Sequence, residues 1–210
     1  MHNLKLCLHH IGGRGGSRTF PIPKIFERDV INILYDADEK THEGIKEYYK
    51  NQKSETHVLP YALSDQCKSV LFNINTDPNT NSVFETNNAF KSFYRNYPHM
   101  DYLVGEAFNT EEKKKIEFVS FDYLYKENKI KHPKPDFISL ITGSSEYDIL
   151  KGADEILKKN VLAISCEVHL HHFRKGQKSF SMLQDYLDAK GFYFVNFCTP
   201  YRYTEDIIDI

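Results

Sequence analysis

A glycine-rich stretch and a later aspartate have the residue types and the spacing of a nucleoside-binding site. Gly12, Gly13 and Gly16 follow the first apolar run, and Asp36 ends the next apolar run about twenty residues further on. Backbone without Cβ atoms lets a ligand approach closely, and a carboxylate at the tip of the neighbouring strand accepts hydrogen bonds from both ribose hydroxyls. We therefore expect these four residues to bind a nucleoside cofactor.

His10 lies just before the glycine-rich stretch and is a further candidate for contact with the cofactor. Side chains alternate along a strand, so His9 and His10 face opposite sides of the sheet and at most one of them points toward the glycines. His10 is the closer of the two in sequence, and we include it among the predicted contacts. The alternative is an imidazole that is hydrogen-bonded to a neighbouring carbonyl group.

Glu146, Glu167 and His169 are the candidate catalytic residues, with a histidine such as His169 taking a proton from the acceptor and the two glutamates serving a polar role near it. His169 follows the fifth predicted strand, Glu167 lies near the end of that strand, and Glu146 begins the helix after the fourth, so all three belong to the edge of the sheet where such folds bind ligands. Alternatively, Glu146 only favours the positive N-terminus of its helix, and His169, with His171 and His172, is an exposed strand exit. We expect no metal, because besides Glu167 no acidic residue near these histidines completes a ligand set.

Short apolar runs alternate with amphipathic ones, which predicts an α/β fold with a mostly parallel sheet of six to seven strands and helices on both faces. The predicted strands are residues 3–11, 30–35, 57–62, 136–141, 161–168 and 192–197. Either residues 201–210 supply a short seventh strand or the edge of the sheet is incomplete. The predicted helices lie within residues 17–29, from Pro23 onward, and at residues 42–53, 146–159 and 177–190, the last ended by Gly191.

Residues 76–112 interrupt this alternation, and we predict that they form an inserted lid of loop and helix. Phe90, Phe93, Tyr94 and Tyr97 share one face of a predicted helix, which either lines a substrate pocket or seats the helix on the core. The smaller predicted elements are a turn at residues 63–65, strands at 69–74 and 116–121, a helix at 122–127, and a capping box made by Ser145 and Asp148.

Composition limits the class of protein. The 210 residues are 40% apolar and 14% aromatic, which is enough for one domain over residues 1–210 with a substantial core. A net charge of -2 gives no field that would concentrate nucleic acid or an anionic membrane. No apolar stretch is long enough to span a bilayer, and we expect a cytoplasmic protein without a membrane span. The four cysteines show no CxxC spacing, so neither disulfides nor structural zinc are expected.

Residues 135–153 read PDFISLITGSSEYDILKGA. This segment resembles the FkbM-type methyltransferase family, whose members read D-F-I-K-I-D-x-x-G-x-E-x-D-I-L-K-G-A there, and the end of that motif is matched in full. Further similarity lies in YALSD at residues 61–65, VSFDYL at 119–124, CEV at 166–168, GQ at 176–177 and GF at 191–192. The similar segments occur in the order of the family and cover most of the chain.

The resemblance implies the Rossmann-like class I fold that uses S-adenosylmethionine, and methylation of a hydroxyl oxygen on a glycan or another small molecule. It assigns the cofactor loop to Gly12, Gly13 and Gly16, the ribose to Asp36, and the neighbourhood of the adenine to Ala62, Leu63 and the two residues after them. The chain departs from the family at His10 and Ile141, where aspartates are usual, and at Ser144, where glycine is usual.

Three functions are compatible with these observations. The first is an O-methyltransferase in which Glu146, Glu167 or His169 assists the acceptor hydroxyl. The second is a methyltransferase-like binding domain without activity, which the losses at His10 and Ile141 favour. The third is a nicotinamide-dependent oxidoreductase, which shares the strand, glycine turn and acid, although the third glycine of its G-x-G-x-x-G pattern falls on Arg18. Binding of nucleic acid is not expected, because no basic and aromatic repeat is present.

Overall fold

The computed structural model describes residues 5–12, 24–89 and 104–197. The chain divides into two compact units, one of Met1–Val70 with Ile116–Glu167 and one of Leu71–Lys115 with Val168–Ile210. The strands are β1 (Leu6–Ile11), β2 (Val30–Tyr35), β3 (Glu55–Leu59), β4 (Ala62–Ser64), β5 (Lys68–Asn75), β6 (Thr110–Ser120), β7 (Phe137–Leu140) and β8 (Ala163–Cys166). The helices are α1 (Glu39–Tyr49), α2 (Val104–Ala107), α3 (Phe121–Lys126), α4 (Glu146–Lys151), α5 (Asp154–Lys159) and α6 (Phe180–Asp188).

The first unit contains a five-stranded sheet with the order β3-β2-β1-β7-β8. All of its strand pairs are parallel, with Leu8 beside Asn32 on one side and beside Phe137 on the other. The strand order reverses direction at β1, where β2 lies on one side and β7 on the other. In open α/β sheets, ligands bind beyond the carboxyl ends of the strands at such a switch point. The predicted α/β class and parallel sheet are confirmed.

The predicted count of six to seven strands is wrong, because the described part of this sheet has five. Residues 192–197, predicted as a sixth strand, form no strand. Phe194 and Phe197 instead contact Phe180, with ring centroids 5.5 and 5.4 Å away, and keep about half of their surface exposed, while Tyr193 and Val195 are almost fully exposed. The alternating apolar pattern therefore reflects packing on α6. Residues 201–210 lie outside the described part of the chain.

The segment after β3 also differs from the prediction. Residues 63–65 were expected to turn, but Ala62–Ser64 form β4, which pairs in parallel with the end of β6 and puts Leu63 beside Val119. This strand belongs to a second sheet with the order β4-β6-β5. The predicted strand at residues 57–62 is therefore divided between two sheets, since β3 ends at Leu59.

Helix α1 confirms the prediction of a helix after β2, although its bounds are shifted. Asp38 is its N-cap, and the carboxylate accepts a hydrogen bond from the backbone N–H of Lys40 at 3.2 Å. Ile45 and Tyr49 lie one turn apart and pack with Leu34 of β2. Helix α1 thus covers the sheet face that carries Leu34.

The single helix predicted at residues 146–159 is two helices, α4 and α5, with a break at Gly152. A Cβ atom at Gly152 would lie 2.0 Å from the carbonyl oxygen of Ser64. The chain must turn where the backbone of β4 approaches so closely, and only glycine leaves room for it. The capping box is also wrong, since Ser145 makes no side-chain cap and its hydroxyl donates to the carbonyl and the hydroxyl of Thr142.

Asp122, in the first turn of α3, holds the start of α5. Its carboxylate accepts hydrogen bonds from the backbone N–H groups of Glu155 at 2.8 Å and Ile156 at 3.1 Å. Its own N–H donates to the carbonyl of Gly152 at 2.9 Å. Burial nevertheless raises the pKa of this carboxyl group above its usual value. Asp122 therefore joins α3 to the break between α4 and α5.

The second unit contains the residues around Arg174. The guanidinium donates to the carbonyl of Thr80 at 2.6 Å and lies 5.3 Å from the ring centroid of Phe108. Helix α6 begins at the N-cap Ser179 and ends before Gly191, whose φ of +90° confirms its predicted role as the stop. Phe90, Phe93, Tyr94 and Tyr97 of the predicted lid lie outside the described residues.

Among the helices that the structure describes, none combines the length and the apolar character that crossing a bilayer requires.

Candidate active site

The carboxyl ends of the parallel strands bring several of the predicted residues to one edge of the first unit. Gly12 donates its N–H to the carbonyl of Tyr35 at 3.1 Å, which joins the end of β1 to the end of β2. On the other side, Ile141 donates to Ile11 at 3.0 Å and Glu167 donates to Leu140 at 2.9 Å. This edge therefore carries Gly12, Ile141 and Glu167 in adjacent positions.

Gly12 is required by the neighbouring strand. Its φ is +90°, and a Cβ atom would lie 1.9 Å from the carbonyl oxygen of Ile141. The carbonyl of Ile141 thus approaches Gly12 at a position where the resemblance leads us to expect an acidic side chain. Gly13 and Gly16 lie outside the described residues, so their assignment to a cofactor loop stays a prediction.

Asp36 lies directly after β2, at the same edge. Its Oδ1 atom accepts a hydrogen bond from the N–H of Asp38 at 2.9 Å, and its carbonyl oxygen lies 2.8 Å from Nε2 of His42. These bonds fix the turn into α1 and use one of the two carboxylate oxygens. The side chain is half-buried. A carboxylate held in this way at the tip of the second strand fits a ribose that donates a hydroxyl hydrogen bond.

His10 is buried at the end of β1, with a relative exposure of 1%. Neither ring nitrogen forms a hydrogen bond within the described structure. Burial lowers the pKa of the imidazole to about 4, although the nearby backbone of Gly12 acts in the opposite direction. His10 is therefore a neutral imidazole at neutral pH, beside the first glycine of the predicted cofactor loop.

Glu146 is a buried carboxyl group at the first position of α4. Its Oε1 atom accepts hydrogen bonds from the backbone N–H of Thr142 at 2.8 Å and from the Thr142 hydroxyl at 3.0 Å. Burial, and then the charge of Glu167, raise its pKa from 4.5 to about 7. A group with this pKa exchanges a proton readily at neutral pH, which is the property that general acid–base catalysis needs.

Cys166 is a third member of this group. Burial is the largest cause that raises the pKa of its thiol to about 12, and the charges of Glu146 and Glu167 add to it. The thiol therefore stays protonated and does not act as a nucleophile. Since Cys166 ends β8 and Glu167 follows it, β8 delivers the negative charge that acts on Glu146.

The loop that leads from β7 to Glu146 contains two consecutive residues in the left-handed region. Gly143 has a φ of +63° and Ser144 has a φ of +82°. Glycine adopts this region freely, whereas a residue with a side chain does so at a cost of about 1 to 2 kcal/mol. The positive φ at position 144 thus explains why a glycine would be favoured there, as the resemblance leads us to expect. In this chain, Ser144 adopts that backbone conformation at a cost in free energy.

We expect Ser144→Gly to unfold at a higher urea concentration than Ser144→Ala. Both variants lack the hydroxyl group, so the comparison isolates the backbone, and we expect a difference of about 1 kcal/mol in favour of glycine. The free energies of unfolding from denaturant titration measure this difference. Equal stabilities would contradict the account of strain at this position.

The roles of the remaining predicted residues stay predictions. Ala62 and Leu63 lie in β4, where Leu63 is buried, and their proximity to an adenine stays a prediction. His169 belongs to the second unit, where its ring lies 5.2 Å from the ring of Phe173. Its role as a base also stays a prediction.

Sequence reasoning missed Thr142, which holds the carboxylate of Glu146. The signal was present, because a hydroxyl residue lies four positions before Glu146 in a short turn that contains glycine. It also missed Asp122, whose carboxylate accepts hydrogen bonds from the backbone N–H groups of Glu155 and Ile156, just after Gly152. That partnership joins residues more than thirty positions apart, and local patterns do not reveal it.

His9, which faces the opposite side of the sheet from His10, belongs to the core. Its Nδ1 atom lies 2.8 Å from the hydroxyl of Tyr35 and its Nε2 atom lies 2.9 Å from the carbonyl of Pro133. A carbonyl only accepts, so Nε2 carries the proton and Nδ1 accepts from Tyr35. Burial lowers the pKa of His9 to about 3, which keeps it neutral. Both ring nitrogens of His9 therefore have hydrogen-bond partners in the core, Tyr35 and Pro133.

The chain was compared with known protein families, with curated proteins and with solved structures. The family described as the methyltransferase FkbM domain matches residues 18–194. No curated protein and no solved structure matches the chain. The match includes the turn after β2, the loop from β7 to α4 and the end of β8, and it therefore covers Asp36, Glu146 and Glu167.

Proposed function

From the premise that this chain belongs to the FkbM methyltransferase family, we propose that it transfers a methyl group from S-adenosylmethionine to a hydroxyl oxygen of a small molecule or glycan. The observation that carries the proposal is the buried carboxyl group of Glu146, whose pKa is raised to about 7 at the ligand-binding edge of the sheet. A hydroxyl acceptor must lose a proton during methylation, and Glu146 is suited to receive it.

Glu146 receives the acceptor proton in this proposal, and Glu167 keeps the carboxyl group basic enough to do so. A carboxylate with the usual pKa of 4.5 is a weak base at neutral pH, and the negative charge of Glu167 increases the affinity of Glu146 for a proton. The two hydrogen bonds from Thr142 hold Oε1 in place. The second-unit residue His169 remains an alternative base.

The described residues fit the nucleoside part of the cofactor. Asp36 would bind the ribose with the carboxylate oxygen that the turn does not use, and Gly12 would lie under the ligand at the switch point, with Ala62 and Leu63 near the adenine. When bound, S-adenosylmethionine supplies a methyl group on a positively charged sulfur, which leaves as a neutral thioether once the acceptor oxygen has taken the methyl. Alignment of the oxygen with the methyl group is then the main task of the protein.

A binding domain without activity is the second candidate, because Ile141 stands where the resemblance leads us to expect an aspartate. The same experiment separates the two. Calorimetry with S-adenosylmethionine and S-adenosylhomocysteine tests binding, and transfer of a radioactive methyl group to a panel of sugars and cell extracts tests turnover. Binding with turnover supports the methyltransferase, binding without turnover supports an inactive domain, and no heat with either ligand rejects the methyltransferase. A nicotinamide dinucleotide in the same calorimeter tests the oxidoreductase, which the family does not favour.

We expect Asp36→Asn to weaken S-adenosylhomocysteine binding by about 10- to 100-fold, since a hydrogen bond to a charged group is lost. The asparagine carbonyl still accepts the hydrogen bond from Asp38, so the turn is preserved. Asp38→Asn is the matched control: it removes a carboxylate two residues away whose contact is with Lys40 of α1. Calorimetry should show normal binding for the control, and equal losses in the two variants would contradict the assignment of Asp36.

A further inference from the structure

Two hydroxyl groups lead to the buried carboxyl group of Glu146. The hydroxyl of Ser145 donates to the hydroxyl oxygen of Thr142 at 2.9 Å, and the hydroxyl of Thr142 donates to Oε1 of Glu146 at 3.0 Å. Ser145 and Glu146 are both buried, so water competes little for these bonds. The three side chains thus form a hydrogen-bonded series, which we call the hydroxyl chain.

The direction of the hydroxyl chain follows from the number of hydrogens that each group carries. A hydroxyl group has one hydrogen to donate and two lone pairs that accept. The hydrogen of Ser145 is shared between the hydroxyl oxygen of Thr142 and its carbonyl oxygen, which lies 3.2 Å away. The hydrogen of the Thr142 hydroxyl is therefore directed to Glu146. A series of donors that ends on a carboxyl oxygen favours the ionised carboxylate, because hydrogen bonds to charged groups are the stronger ones.

The hydroxyl chain also makes the two oxygens of Glu146 different. Oε1 accepts from two donors, the hydroxyl of Thr142 and the backbone N–H of Thr142 at 2.8 Å. A proton placed on Oε1 would point at these donors, so the neutral carboxyl group carries its proton on Oε2. Oε1 is therefore the oxygen that the loop holds, and Oε2 is the oxygen that exchanges the proton.

We propose that Thr142 and Ser145 are positioning residues that act through Glu146: they hold Oε1, favour the ionised carboxylate and leave Oε2 to take the proton of the acceptor. The step at the acceptor rests on the proposed function. There the O–H bond breaks as the oxygen takes the methyl group, the electron pair of the broken carbon–sulfur bond stays on the sulfur, and the proton passes to Oε2. The family motif specifies no residue type at positions 142 and 145, so the hydroxyl chain is a feature of this sequence.

Other ionisable groups around Glu146 set the background for this effect. Burial, and then the charge of Glu167, raise the pKa of Glu146, whereas the hydrogen bonds from Thr142 lower it. The thiol of Cys166 stays protonated and adds no charge. The other titratable residues of α4 are Tyr147, Asp148 and Lys151. Helix α4 also packs against β4 and α5, whose nearby charged groups form the ion pairs Asp65–Lys68, Asp154–Lys158 and Glu155–Lys159.

Thr142→Val tests the hydroxyl chain, because valine keeps the branched shape and the backbone N–H while it removes the hydroxyl. Carbon-13 NMR of labelled glutamate side chains follows the ionisation of Glu146 in the ligand-free protein, and the pH profile of methyl transfer follows it during turnover. We expect Thr142→Val to move both midpoints upward by about one pH unit, since a hydrogen bond to the charged form is lost. Ser145→Ala should cause a smaller upward shift, and Thr142→Ser should keep the original midpoint.

Thr110→Val is the matched control, because it removes a threonine hydroxyl that donates to Asn75 in the second unit. It should leave both midpoints in place. A merely structural Thr142 would slow transfer equally at every pH, and a midpoint that stays in place in Thr142→Val would overturn the proposal. Thermal unfolding verifies that each variant is folded, and Ser145→Ala decides the question should Thr142→Val not fold.

The two readouts separate this inference from the proposed function. An NMR midpoint that moves in Thr142→Val, together with a shifted profile of methyl transfer, supports both. An NMR midpoint that moves in a protein that transfers no methyl group supports the action of the hydroxyl chain on Glu146 and overturns the step at the acceptor, together with the proposed function. Methyl transfer by the original protein with an NMR midpoint that Thr142→Val does not move leaves the proposed function standing and overturns the role of the hydroxyl chain.

Discussion

Gly152→Ala should lower the free energy of unfolding by about 3 kcal/mol or more. The added Cβ atom would lie 2.0 Å from the carbonyl oxygen of Ser64, 3.0 Å from its carbonyl carbon and 3.1 Å from Cα of Asp65. All three are backbone atoms, so no side chain can rotate away to relieve the contact. Relief requires β4 to separate from the turn between α4 and α5.

Gly44→Ala is the matched control, because it adds the same methyl group within a helix. Nothing lies within 4 Å of a Cβ atom at Gly44, which is exposed in α1. Alanine has the higher helix propensity, so this variant should gain about 0.5 to 1 kcal/mol. Urea titration of both variants measures the contrast. A Gly152→Ala variant that unfolds within 0.5 kcal/mol of the original protein would show that the turn adapts.

The close contact at Gly152 joins segments that resemble the FkbM family. Gly152 belongs to the segment at residues 135–153, Ser64 to the segment at 61–65, and Asp122 to the segment at 119–124. In the structure, Gly152 touches Ser64 and its carbonyl accepts the N–H of Asp122. These three similar segments therefore meet through their backbones at Gly152. Glu146 belongs to the longest of these segments, residues 135–153. Its carboxyl group is buried, and backbone packing does not explain why an acidic residue is buried there.

The central strands of the sheet could be predicted from the sequence because they are short, mostly apolar runs. β2 has its residues almost all buried, and such a run reads as a parallel strand without knowledge of its neighbours. Helix α6 was likewise predictable, since Gly191 marks its end locally. The break at Gly152 was not, because its cause is a carbonyl group from another strand. Residues 192–197 were wrongly predicted as a strand for a related reason. Their apolar residues alternate as in a strand, but Phe194 contacts Phe180 of α6.

The candidate site was predictable in its residue types but not in its connections. Glu146 and Glu167 were identified from their positions after two strands, and the structure brings their charges close enough to interact. The raised pKa of Glu146 depends on burial by distant parts of the chain, which a local pattern does not reveal. The unpaired state of His10 is equally invisible in the sequence, because the adjacent His9 has the same residue type and is fully paired.

Glu146→Gln is expected to reduce methyl transfer by about 100- to 10,000-fold while S-adenosylhomocysteine still binds, because the variant loses the proton acceptor only. The glutamine carbonyl continues to accept the two hydrogen bonds from Thr142, so the loop is retained. Single-turnover transfer to the best acceptor measures the rate, and calorimetry verifies binding. A variant with normal rates would assign proton removal elsewhere, with His169 as the next candidate.

The dependence on pH distinguishes a base from a structural carboxyl group. Transfer by the original protein should rise with pH through about 7, as Glu146 loses its proton. Glu167→Gln removes the neighbouring negative charge, so it should lower the pKa of Glu146 and move this rise to lower pH. The rise should be absent in Glu146→Gln. A rise that stays in place in Glu167→Gln would contradict the coupling between the two carboxyl groups.

The same carboxyl group should make stability depend on pH, with a sign opposite to that of an ordinary ion-paired glutamate. Its pKa is about 7 in the folded protein and near the usual 4.5 when unfolded, so the folded state holds more protons between these values. The contribution of Glu146 to stability is therefore fully present below pH 4.5 and is lost as the pH rises to about 7. Subtracting the Glu146→Gln unfolding curve from that of the original protein isolates this loss. A difference that stays constant from pH 4.5 to 7 would mean that Glu146 is already ionised in the fold and is too weak a base for the proposed reaction.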